Sequence, residues 1–167
     1  MNLLVEFFKH NTMMNDRLLQ TCRQLSDEQL GSKIDGTYGT IGATLAHVAG
    51  GQESYAARFF GSERPERLAE DPFPGFDVLG ERFTRGNALL EQAASKAATE
   101  GYVEVEGDDP VGRWRMHRSL LLLQAINHGT EHRSQIATIL TQLGVEAPDM
   151  DGWTFFFDAG HMVDIPD

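Results

Sequence analysis

Cysteine is almost absent. Cys22 stands alone, so no disulfide can form within the chain, and a disulfide-stapled scaffold is excluded. Basic residues are scarce as well. The chain carries 14 lysines and arginines against 25 aspartates and glutamates, a formal net charge of −11. A surface this acidic repels phosphate backbones and anionic lipid, and no Lys/Arg cluster makes a local exception. Long apolar runs are missing too: none approaches the roughly 20 residues that a membrane-spanning helix needs. The first ten residues are apolar only in patches broken by Glu6 and Lys9, so they do not read as a signal peptide. These absences predict a cytoplasmic protein with neither a nucleic-acid nor a membrane partner. Several chemistries lose their usual motifs as well. There is no glycine-rich phosphate loop, no G-x-S-x-G for a serine nucleophile, and no E-x-x-H of the di-iron carboxylate bundles.

What remains is an ordinary globular composition, 41% hydrophobic and 23% charged over 167 residues. That length suits one domain, 1–167, with one core. Four long segments carry helical periodicity. The first runs from about Leu3 to Leu25, with Leu4, Phe8, Asn11, Asn15, Leu18, Cys22 and Leu25 on one stripe. Thr40 is placed to cap a second helix that ends near Phe60, with Ile41, Leu45, Val48, Gln52, Tyr55 and Phe59 facing inward. Residues 64–75 hold three prolines and read as a loop. A third helix spans about Phe76 to Thr99. Tyr102–Glu106 alternates like a strand, Gly107–Pro110 reads as a turn, and Val111–Met116 as the return strand of a short β-hairpin. The last long helix runs from about His117 to Leu143. The aromatic tail around Trp153–Phe157 is expected to add a short helix or turn. The pattern is all-α: a four-helix bundle with a hairpin before its last long helix.

The chemistry is concentrated in histidine. His128 and His132 are four residues apart on the last helix, one above the other on the same face. A helical wheel puts both toward neighbouring helices. Two adjacent inward imidazoles are costly to satisfy by hydrogen bonds alone, and a metal ion satisfies both at once. His47, at the margin of the second helix's apolar stripe, is the third candidate ligand. His10, His117 and His161 have weaker claims. The run His128-Gly-Thr-Glu131-His132 also spells H-x-x-E-H, the inverted zinc-peptidase motif, but that architecture needs a downstream acidic ligand from a larger α/β fold. Gly129 between the two histidines leaves the backbone open to close approach.

Three stretches carry a family resemblance: Thr40-Ile-Gly-Ala-Thr-Leu-Ala-His47-Val48, Asn127-His128-Gly-Thr-Glu-His132-Arg133-Ser-Gln135-Ile136, and Leu143-Gly-Val-Glu-Ala-Pro-Asp149. Together they resemble the DinB/YfiT-like superfamily of damage-inducible-protein-like metalloproteins. The resemblance implies a four-helix bundle with that superfamily's mirror-type connectivity. It also implies a divalent ion, zinc or nickel, on His47, His128 and His132, and a homodimer. Some such proteins are transferases or isomerases that use a low-molecular-weight thiol. The chain departs from the pattern at Glu131, where His is frequent, and at Ser134, where Gly is frequent. Neither position is one of the three ligands.

Three imidazoles leave a tetrahedral position open for water or substrate. The expectation is therefore a metal-dependent transferase acting with a low-molecular-weight thiol on a small-molecule substrate. A metal-water hydrolase and a non-catalytic metal- or ligand-binding stress protein are the alternatives. Arg58, Arg113 and Arg115 are candidates to hold a thiol cofactor. Glu131 and Glu53 are candidate bases for a hydrolase, and His161 is a candidate fourth ligand for a binding protein.

Overall fold

The computed structural model describes residues 1–96, 101–106, 112–162 and 165. Asn2 starts the first helix, α1 (Leu3–Cys22): its side chain accepts from the Leu4 backbone N–H at 3.1 Å. The helix stops at Cys22 and not at Leu25. Ser26 and Gln29 cap each other reciprocally and open a separate short helix, α2 (Asp27–Leu30). That S-x-x-Q box is a start signal, and it ends the first helix by beginning another. Thr40 caps α3 (Ile41–Phe60) through the Ala43 N–H, as its hydroxyl chemistry predicts. The proline-containing segment leads into α4 (Phe76–Lys96).

The hairpin pairs β1 (Tyr102–Glu106) with β2 (Arg113–His117), antiparallel, with Tyr102 opposite His117 and Glu106 opposite Arg113. The expected turn at 107–110, the strand start at Val111 and the helix end at 97–99 lie outside the described residues. The return strand begins at Arg113 and reaches His117, so the last long helix, α5 (Ser119–Gln142), starts two residues later than the periodicity suggests. In the aromatic tail, α6 (Gly152–Asp158) buries only Phe155, while Trp153 and Phe157 face solvent.

The four long helices form the expected all-α bundle. Helix α3 packs along both α4 and α5, and α1 packs along the same two, so α1 and α3 occupy opposite corners. The core is not continuous. One apolar cluster holds Leu18, Cys22, Ile41, Leu45, Val48, Leu79, Phe83, Ile136 and Leu140. A second holds Phe8, Ala56, Phe59, Leu90, Ala93, Leu121 and Leu122. Between them every long helix contributes buried polar side chains: Asn11 and Asn15, Gln52 and Glu53, Asn87, and His128, His132 and Arg133. A polar layer therefore crosses the middle of the bundle, and the histidines belong to it. No helix among the described residues is long and apolar enough to cross a membrane.

Candidate metal centre

His47 projects from the second turn of α3. His128 and His132 project from the middle of α5, where the four-residue spacing stacks them on the face turned toward α3. The structure brings these three together: one ligand nitrogen from each lies within 4.8 Å of the other two. The Nε2 atoms of His47 and His128 approach to 2.9 Å. His128 and His132 are 9% and 7% exposed, so the cluster is shielded, while His47 is half-buried at the rim.

Close approach has a backbone cause. A Cβ on Gly51 would stand 2.7 Å from His128 Cε1, so only glycine lets the His128 ring lie against α3. Gly129 plays a different part from the one its position suggests. The groups crowding it are the Arg133 guanidinium at 2.9 Å and Asn11 Oδ1 at 3.0 Å, not a ligand site. Arg133 donates to Asn11 and Asn15 Oδ1 at 2.7 and 2.9 Å, and burial pushes its guanidinium down to about 10.

The outer contacts of the histidines are unequal. His47 Nδ1 lies 3.0 Å from Glu70 Oε1, and His132 Nδ1 lies 2.9 Å from Gln135 Oε1. His128 Nδ1 is buried with no hydrogen-bond partner. Burial, with the other two imidazoles close by, pushes His128 down to about 4. His47 is also lowered by burial, against the opposing pull of Glu70. His47 and His128 are thus held toward the neutral form, the one in which imidazole binds metal. This donor set fits a divalent ion: three imidazole nitrogens converge, and two of the rings have their other nitrogen beside an oxygen acceptor.

The remaining candidates are placed elsewhere. His10 Nε2 sits 3.1 Å from the Met150 carbonyl oxygen, and His117 Nδ1 sits 2.6 Å from the Ser119 hydroxyl. His161 stands 3.4 Å from Glu6 on α1, so it is not a fourth ligand. Glu131 is exposed on α5. Glu53 is buried toward α4, paired with Arg82 at 2.8 Å and with Arg85, and those ion pairs take up its carboxylate. A free general base is therefore not found at either position. Arg113 pairs with Glu104 within the hairpin, and Arg115 lies 4.9 Å from the Tyr102 ring centre. Arg58 alone of the three arginines lines the cleft beside the histidines.

That cleft has a volume of about 780 Å³. Its floor is His47, His128 and Gly51, and its far wall is the 63–70 segment. Glu70 and Tyr38 are the site residues that sequence reasoning missed. Both lie in irregular segments, where no periodicity marks a side chain as inward. Gln135 was within reach of such reasoning, because it follows His132 by three residues on the same helical face.

Residues 1–161 match the DinB family. The chain belongs to the DinB family. Within it, the fold is similar to the crystal structure of a DinB-like protein from Bacillus cereus ATCC 10987, with a TM-score of 0.65 over 87% of this chain and 94% of that one. The two are 19% identical, so the likeness speaks for the DinB fold alone. No curated protein matches the sequence.

Proposed function

We propose that this DinB-family protein binds one divalent metal ion, zinc or nickel, through His47, His128 and His132, and uses it as a transferase acting with a low-molecular-weight thiol. The observation that carries the reading is the convergence of three imidazoles, two of them buried, beside a cleft about 780 Å³ in volume that His47 and His128 line. When bound, such an ion lowers the pKa of a coordinated water or thiol and makes it nucleophilic near neutral pH. The chain's own residues do the rest. The three imidazoles supply neutral nitrogen ligands and leave room for a further ligand. The walls of the cleft exclude bulk water on one side, and Tyr55, Ser54 and Arg58 face a small molecule entering it. Glu53 is engaged by arginines, Glu131 is exposed, and Glu70 in the cleft wall is engaged by His47 and Tyr38, which favours the transferase over the hydrolase.

The test begins with elemental analysis of untagged protein. One equivalent of metal per chain is expected, and His132→Ala is expected to lose it, because two imidazoles hold a divalent ion poorly against water. Full metal content in that variant would sink the assignment. Cobalt- or nickel-substituted protein is then expected to develop a thiolate charge-transfer band with a low-molecular-weight thiol. No band with any such thiol would remove the transferase and leave the hydrolase or the binding protein. The reading also carries a cytoplasmic setting and a homodimer. Phe7 supports the dimer modestly: it is 48% exposed while its neighbour Phe8 is buried in the core. A monomeric mass in light scattering at micromolar concentration would contradict the dimer.

A further inference from the structure

The outer contacts of the histidine cluster converge on one residue. Tyr38 lies in the irregular segment between α2 and α3, and its ring stacks on His47 with centroids 4.0 Å apart. Its hydroxyl donates to Glu70, at 2.9 Å from Oε2 and 3.1 Å from Oε1. Its backbone N–H donates to Gln135 Oε1 at 3.1 Å. Glu70 and Gln135 are in turn the outer partners of His47 and His132.

Donor and acceptor chemistry decides more than the distances do. A backbone N–H can only donate, so the atom of Gln135 that faces Tyr38 must be its oxygen. The same oxygen faces His132 Nδ1, so that nitrogen carries the proton. A carboxylate can only accept, so His47 Nδ1 carries its proton as well. Both rings are thereby fixed as the tautomer whose Nε2 bears a lone pair. His128 is held by another means, packing against the α3 backbone at Gly51.

We propose that Tyr38, Glu70 and Gln135 form a strap that positions His47 and His132 as Nε2 ligands, with Glu70 the principal member. The proposal rests on the metal-site reading above and extends it to three residues that are not ligands. Glu70 belongs also to the wall of the cleft, so one carboxylate joins the histidine ligand to the segment that encloses the substrate space. Hydrogen-bond partners of this kind orient ligand imidazoles and raise their basicity, and their loss typically weakens metal binding about 10–100-fold. The strap residues lie outside both apolar clusters, so their removal acts on the site and leaves the bundle in place.

The experiment measures Zn²⁺ affinity at pH 7 by competition with a chromophoric chelator, in full-length wild-type protein and in four variants. Glu70→Ala and Gln135→Ala are expected to bind Zn²⁺ about 10–100-fold more weakly. Glu70→Gln keeps an oxygen acceptor for His47 and is expected to recover most of that loss. Tyr38→Phe frees only the Glu70 hydroxyl contact and is expected to lose less than Glu70→Ala. The visible spectrum of the Co²⁺-substituted variants reports ligand geometry independently, and the helical circular dichroism of the metal-free variants should match wild type. Wild-type affinity in both Glu70→Ala and Gln135→Ala would overturn the strap. So would a Glu70→Gln protein no better than Glu70→Ala. If Glu70→Ala proves insoluble, Gln135→Ala and Tyr38→Phe decide the question. Absence of Zn²⁺ binding in wild type would instead overturn the metal site itself, an outcome distinct from failure of the strap.

Discussion

At the scale of single residues, the chemistry lies in where each nitrogen finds its partner. His47 and His132 have acceptors on Nδ1, whereas the Nδ1 of His128 is buried with none. This makes His128 the residue most opposed to protonation, and its pKa is displaced by burial from 6.5 down to about 4. The linkage has a definite sign. In the unfolded chain this histidine takes up a proton near pH 6.5, while in the folded chain it resists until about pH 4. Between those values the unfolded state binds more protons, so stability rises with pH. Metal-free protein should therefore hold its full stability above pH 6.5 and lose it as pH falls toward 4. Such a displacement is worth up to about 3 kcal/mol. Glu6 has the sign of an ordinary paired carboxylate, held below its usual value by Lys9. The urea midpoint of metal-free protein should drop between pH 7 and pH 5, and His128→Gln should flatten that drop. An equal pH response in both proteins would contradict the assignment.

At the scale of elements, periodicity made the four long helices legible, and the spacing of His128 and His132 placed them on one face of α5. The buried stripes of α1, α3 and α4 fall where apolar residues recur at three and four. Features that depend on partner chemistry were not legible in the same way. The stop at Cys22 needed the reciprocal cap of Ser26 and Gln29 to be read as a start signal. Glu70 was hidden because a proline-containing loop has no period from which to judge direction. Glu53 read as a free carboxylate because nothing in α3 alone reveals Arg82 and Arg85 on α4. The glycine pair of α3 shows the difference sharply. Each glycine costs the helix about 1 kcal/mol against alanine, yet the two sit in unlike surroundings. A Cβ at Gly50 would meet Leu68 at an ordinary 3.6 Å, while one at Gly51 would overlap His128 at 2.7 Å. Gly50→Ala should therefore stabilise the protein by up to about 1 kcal/mol and leave metal affinity alone. Gly51→Ala should displace the His128 ring and weaken Zn²⁺ binding at least about tenfold, a loss of 1.4 kcal/mol or more. Chelator competition on the two variants checks the contrast, and equal affinities would show that the His128 ring is not seated by the α3 backbone.

For the whole molecule, the decisive feature is the polar layer that divides the core. Asn11, Asn15, Asn87 and Arg133 link α1, α4 and α5 through side-chain hydrogen bonds, with Asn15 donating to Asn87 at 3.0 Å. The histidines occupy the edge of this layer between α3 and α5 only. A metal ion there would tie two of the four long helices, while the apolar clusters above and below join all four. Folding should therefore not depend wholly on the ion, unlike a zinc finger, in which the metal replaces a core. A ligand that binds only the folded state stabilises it by about 2.7 kcal/mol at a free concentration 100 times its Kd. For a chain of this size, each kcal/mol moves Tm by about 2–4 °C. Chelation should accordingly lower Tm by roughly 5–10 °C under those conditions. The far-ultraviolet helical signal at 25 °C should stay unchanged, because two apolar clusters remain intact. Collapse of that signal on chelation would make the ion a structural element of the bundle. It would also weaken the reading of the site as catalytic, since an ion required for folding is usually closed off by protein ligands.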